Sequence, residues 1–200
     1  MPDDAYIEPQ RTLVQAATGV MENATRHYEK RLKDLDGLYQ DQSAFDILAA
    51  QDRDTVVYEV WDHSASDRAG DLVFGTSVMK PGKIGREYFM TRGHIHALAD
   101  RSEIYHCVAG HGVMLMENPD GAVRTLEMTP GSVAYVPPHW THRSVNVGDG
   151  TLVTVFCYSA DAGQDYSPIE RAGGMRQLVV DDDAGGWTLE RNPRHRSSHG

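Results

Sequence analysis

The chain of 200 residues has only two cysteines, Cys107 and Cys157, and they form no C-x-x-C pair. A disulfide framework is excluded, and both are expected as reduced, buried thiols. No apolar run approaches the roughly 20 residues of a membrane-spanning helix. The first ten residues, "MPDDAYIEPQ", are acidic and lack the apolar stretch of a signal peptide, which predicts a cytoplasmic location. Basic charge is also short. The 19 Lys and Arg stand against 29 Asp and Glu, a net charge of −10, the wrong sign for a generic nucleic-acid binder. There is no G-x4-GK loop, so nothing asks for a nucleotide.

What is present suits a globular domain with a sizeable core, with 40% apolar and 24% charged residues. Residues 22–35 read as a polar helix, with Val20, Met21, Tyr28, Leu32 and Leu35 near helical spacing. Residues 43–51 read as a second short helix with Ser43 as its N-cap. From residue 55 the texture turns to short runs of β-formers at 55–62, 71–79, 85–93, 102–110, 112–118, 122–128, 132–138, 143–148 and 151–160. "KPGK", "NPDG", "TPGS" and "GDG" supply turns between them. Such a series predicts an antiparallel barrel or double-sheet jelly roll, closed by a hairpin at 177–183 and 186–191. The organisation expected is a helical N-terminal segment (1–54), a barrel (55–190) and a tail (191–200) whose His195 and His199 face solvent.

The chemistry concentrates in "RGHIHALADRSEIYHCVAG" and "VPPHWTHRSVN". His94 and His96 are two apart, so on a strand both side chains leave the same face. Glu103 can meet them from the next strand, and His142 follows a stretch stiffened by Pro137 and Pro138. Taken singly, each histidine reads as an ordinary polar strand residue. Taken together, three imidazoles and one carboxylate suit a first-row divalent ion. His106 has the wrong parity for this set, and His111 sits in a turn. Just upstream, "KPGKIGREYFMTRGHIH" is locally basic: either a solvated edge or a landing place for a small anion.

These residues resemble the cupin motifs. His94, His96, Glu103 and Gly110 match the first motif. Gly131, Pro137, His142 and Asn146 match the second, with His139 where glycine is usual. The six residues between His96 and Glu103 exceed the gap of most cupins and resemble the cupin-type phosphoglucose isomerases. "DTVVYEV", "GDLVFGTSVMKPGKIGREYFMTRGHIHALADRSEIY", "MTPGSVAYVPPHWTHRSVN" and "YSADAGQDY" are similar to that family in the same order, so the likeness covers nearly the whole chain.

The resemblance implies a cupin barrel, a double-stranded antiparallel β-helix, that interconverts glucose 6-phosphate and fructose 6-phosphate as a homodimer. It implies one divalent metal per subunit (Fe2+, Zn2+ or Mn2+), held by His94, His96, Glu103 and His142, with Glu103 also the candidate catalytic base. Thr76, Ser77, Thr91 and Gly93 would take the phosphate. Tyr58, Tyr105, Tyr158, Gln164 and Tyr166 would line the sugar pocket. This chain departs from the family at Ser77, where threonine is expected, at His139, in place of a large aromatic, and at Gln164, in place of a histidine. Gln164 can hydrogen-bond a hydroxyl but cannot relay protons, which bears on turnover. Two routes serve such a reaction: proton transfer through an enediolate, or a hydride shift. The competing readings are a metal-dependent cupin oxygenase and a sugar-phosphate-binding cupin without catalysis.

Overall fold

The computed structural model describes residues 6–196. In chain order the elements are β1 (Arg26–Arg31), a 3-10 turn (Leu32–Leu35), α1 (Gln42–Asp52), β2 (Val56–Ser64), β3 (Leu72–Met79), β4 (Lys83–Ile84) and β5 (Glu87–Tyr88). They continue with β6 (Glu103–Ala109), β7 (Gly112–Glu117), β8 (Val123–Met128), β9 (Val133–Val136), β10 (Thr141–Asn146), β11 (Leu152–Ser159), α2 (Ser167–Ala172), β12 (Gln177–Asp181) and β13 (Trp187–Arg191). A large sheet runs β1-β2-β3-β11-β6-β9, a second β10-β7-β8 and a third β13-β12-β5-β4. The architecture is all-β and antiparallel, as expected, with few helices.

Strand alternation decides what faces the interior. Tyr58, Val60 and Asp62 leave one face of β2, and Glu103, Tyr105 and Cys107 leave one face of β6. Tyr58, Tyr105, Cys107, Met114, Met116, Leu152 and Phe156 join one buried cluster. The opposite side of β6 is exposed, so His106 points outward.

Several expectations need correction. Residues 26–31 are not helical. "RHYEKR" alternates Arg26, Tyr28 and Lys30 against His27, Glu29 and Arg31, and it pairs antiparallel with β2. Pairing with a neighbouring strand overrides a local pattern of this kind. The large sheet therefore begins before residue 55, at an edge strand. The cap of α1 is Asp41, which accepts the Ala44 amide at 2.9 Å, so Ser43 lies inside the helix. The run 85–93 is a strand only at Glu87–Tyr88, because Gly85 (φ +56°) and Gly93 (φ +76°) turn the chain. α2 carries no expectation from the sequence, and Tyr166 leads into it. The expected tail is tied down: Asn192 bonds the carbonyls of Gly173 and Met175, at 3.0 and 2.8 Å. His195 is half-buried, with its Nδ1 2.8 Å from the Gly174 carbonyl. His199 lies outside the described residues. Both cysteines are free thiols, but only Cys107 is buried; Cys157 is half-buried.

Two irregular segments place the site. Residues 90–94 run beside β10, bridged at Met90–Val145 and His94–His142. The loop before α2 is fastened to the same segment by paired backbone bonds between Ile95 and Asp165, at 3.1 and 2.8 Å.

Candidate metal centre and its cleft

β6 supplies Glu103, β10 supplies His142, and the irregular segment bridged to β10 supplies His94 and His96, which brings the four candidate ligands together. His94, His96, Glu103 and His142 each offer a donor atom, and all four atoms lie within 4.8 Å of one another. Glu103 is 2% exposed and His142 2%, so water contributes little to holding their charge. Glu103 Oε2 lies 3.0 Å from His142 Nε2, 3.2 Å from His96 Nε2 and 3.9 Å from His94 Nε2.

The tautomers follow from the outer contacts. His96 Nδ1 lies 2.9 Å from the Arg101 carbonyl, and His142 Nδ1 lies 3.2 Å from the Trp140 carbonyl. A carbonyl only accepts, so each Nδ1 carries the hydrogen, and a neutral ring then aims a bare Nε2 lone pair at the carboxylate. Two lone pairs face each other unless a cation lies between them. His94 Nε2 is buried with no hydrogen-bond partner among the described residues. Burial, with the neighbouring His142 ring, pushes the His94 imidazole down to about 3, so it is neutral at ordinary pH. Burial pushes the Glu103 carboxyl up, but in the metal-free site hydrogen bonds from the His142 and His96 imidazoles, where they carry a hydrogen on Nε2, outweigh it and hold it down at about 2. Three imidazole nitrogens and one anionic oxygen fit a divalent first-row ion.

A cleft of about 560 Å³, counted to its open mouth, leads to this cluster. Tyr58, Ser77, Thr91, Gly93, Tyr105, Tyr158, Gln164 and Tyr166 all line it, as do the candidate ligands His94, Glu103 and His142. His96 stands behind Glu103. Thr76 is the exception. It leaves the other face of β3 from Ser77, is fully buried, and donates to the Gly19 carbonyl at 2.6 Å. That contact anchors the N-terminal segment on the sheet's outer face, and Thr76 is withdrawn as a phosphate contact.

Burial pushes the pocket tyrosines up: Tyr58 and Tyr158 to about 12, with Tyr28, Tyr105 and Tyr166 raised as well. All five therefore keep their hydroxyl hydrogens and act as neutral donors. Tyr105 reaches hydrogen-bonding range of the Glu103 carboxylate. Thr91 Oγ1 accepts the Ser144 amide at 3.1 Å, which leaves its own hydrogen free for the cleft.

Arg26, Tyr28, Asp62, Arg92 and Ser144 also line the cleft and were not anticipated. Arg26 Nε donates to buried Asp62 at 2.9 Å, and the Arg92 guanidinium sits 4.6 Å above the Tyr166 ring. The alternation in "RHYEKR" was the signal that would have exposed Arg26 and Tyr28, which the helical reading hid.

The sequence profile of the Glucose-6-phosphate isomerase (GPI) family matches residues 29–196. The chain belongs to that family. The glucose-6-phosphate isomerase of Sinorhizobium medicae is 53% identical over 180 residues, 90% of this chain and 84% of its own. Those of Pyrococcus furiosus and Thermococcus litoralis are 41% and 40% identical, over 94% and 96% of this chain and 98% of each of theirs. Family membership thus spans nearly all of the barrel and the site within it.

Proposed function

We propose that this protein is a metal-dependent glucose-6-phosphate isomerase, interconverting glucose 6-phosphate and fructose 6-phosphate in the cytoplasm as a homodimer. The observation that supports the reading best is that one cleft joins a four-donor cluster to a separate bank of hydroxyl and amide donors. Such a cleft can hold the reacting end and the phosphate end of one small sugar phosphate. The relatives named above carry that activity in their names, and the family shares nearly the whole chain.

His94, His96, Glu103 and His142 would hold one divalent ion, which supplies Lewis-acid polarisation of the sugar oxygens when bound. Ser77 and Thr91 offer hydroxyl hydrogens to the phosphate. Tyr28, Tyr58 and Tyr158 offer neutral donors to the sugar hydroxyls, while Tyr166, whose hydrogen goes to Gln164, offers its oxygen as an acceptor. Gln164 stands at the mouth and accepts the Tyr166 hydroxyl. Glu103 is the group placed to take the hydrogen from C2 and return it at C1, with Tyr105 beside it as a neutral acid. A ligating carboxylate is a weakened base, so that role would require Glu103 to loosen from the ion it would help to hold. The alternative hydride route leaves Glu103 as a ligand only.

The test is direct. The purified protein is stripped with chelator, restored with Fe2+, Zn2+ or Mn2+ singly, and assayed for fructose 6-phosphate conversion with oxygen uptake followed in parallel. Conversion that vanishes on stripping and returns with one metal is expected. No conversion with any metal would sink the isomerase reading, and oxygen uptake in its place would favour an oxygenase. Conversion in D2O tests the proton route: deuterium at C2 of the glucose 6-phosphate formed marks proton transfer, and the hydride route requires that none be incorporated.

A further inference from the structure

Arg143 stands apart from the other cations of the molecule. It follows His142 on β10, so its side chain leaves the strand on the side away from the cleft. It is 4% exposed, and Glu87 and Glu117 act on it only at longer range, without an ion pair among the described residues. Its Nη2 donates to the Arg92 carbonyl at 2.7 Å, its Nη1 faces the Met90 sulfur, and its Nε has no partner. A buried, unpaired guanidinium is costly and calls for a reason.

The reason lies one peptide away. No peptide bond among the described residues is cis, and in a trans peptide the carbonyl and the following N–H point in opposite directions. The Arg92 carbonyl is drawn to the guanidinium behind the segment. The Gly93 N–H is therefore turned to the cleft side, where it makes no hydrogen bond among the described residues. Gly93 is needed for the same packing. Its φ is +76°, and a Cβ there would lie 3.0 Å from Arg143 Nε and 3.1 Å from Ile169 Cδ1.

We infer that Arg143 is the positioning residue of the phosphate end of the cleft. Its bond to the Arg92 carbonyl aims the Gly93 N–H at an incoming phosphate, and its unpaired charge draws the anion through the thickness of a single peptide. This rests on the reading of the cleft as a sugar-phosphate site, but it adds a group that never touches the ligand.

The test compares Arg143→Met and Arg143→Lys with the unaltered, metal-loaded protein. Three quantities are read: KM and kcat for fructose 6-phosphate, the calorimetric Kd of inorganic phosphate, and metal content per chain. Arg143→Met is expected to raise KM and the phosphate Kd at least tenfold, with kcat within about threefold and metal content unchanged. Arg143→Lys keeps the charge but loses the planar fork, and should fall between. A folded Arg143→Met with unaltered KM and phosphate Kd overturns the inference, as does a loss confined to kcat. Should the methionine variant not fold, the lysine variant decides: a KM and Kd equal to the unaltered protein's overturn it. Unaltered protein that binds phosphate but does not isomerise would sink the isomerase reading and leave this one standing; unaltered protein that binds no phosphate overturns this one.

Discussion

The wall of the cleft that carries Glu103, His142 and Ser144 is almost fully buried, and strand pairing fixes both β6 and β10 on it. The facing rim carries Arg26 on an edge strand and Gln164 on a loop, both exposed to solvent. The contrast has a physical logic. Metal ligation and hydrogen transfer tolerate little displacement, so their candidate groups belong on buried segments: β6 is paired on both sides, and β10, though it ends its sheet, is paired with β7 and bridged to residues 90–94. Sugar hydroxyls are bound through several weaker, replaceable contacts, and an exposed edge can supply them. Substitutions on the buried wall should therefore abolish function, and those on the rim should tune it.

The sharpest way to break this contrast is Glu103→Gln. Loss of both the anionic ligand and the candidate base should lower kcat on the order of 10³-fold, within the usual range for a general base. A steady-state rate within tenfold of the unaltered enzyme would place the chemistry elsewhere. On the rim, Tyr28→Phe removes one neutral donor. It should cost roughly two- to tenfold in kcat/KM, the worth of a single hydrogen bond, with metal content unchanged. A loss as large as that of Glu103→Gln would erase the distinction between the walls. Gln164→His restores a group that titrates near the physiological range. It should raise kcat a few-fold and add a limb to its pH profile around the imidazole value of about 6.5. A flat profile would show that this position binds without relaying protons. The smallest effect is expected outside the cleft. Thr76→Val forfeits the buried bond to the Gly19 carbonyl, so thermal denaturation should show about 1 kcal/mol less stability, while KM stays unchanged. A KM shift without a stability change would return Thr76 to the phosphate site.

The same contrast governs what could be read from the chain alone. Glu103 and His142 were legible because strand parity and motif spacing are local properties that buried strands obey; His94 and His96 were legible by spacing alone, since they lie on an irregular segment bridged to β10 and not on a strand. Arg26 and Tyr28 were not, because "RHYEKR" becomes a strand only through its pairing with β2. Thr76 was misassigned for a related reason. Two adjacent hydroxyl residues on a strand must face opposite sides, and only the packed N-terminal segment shows which side Thr76 takes. His139 shows a subtler limit. Its φ of +67° is the left-handed conformation for which the motif reserves glycine, so the backbone kept its shape although the residue changed. Nothing local distinguished Arg143 from a surface arginine, since its burial is a property of the layers packed over β10.

The most direct test of the account is the metal stoichiometry of His142→Ala beside its activity. This candidate ligand is the second residue of β10, which is paired along its length with β7, so the barrel should remain folded by circular dichroism. The account predicts that metal per chain and fructose 6-phosphate conversion fall together to background. A folded variant that retains one tightly held metal per chain, or that still isomerises without it, would contradict the claim that these four side chains hold the metal on which the reaction depends.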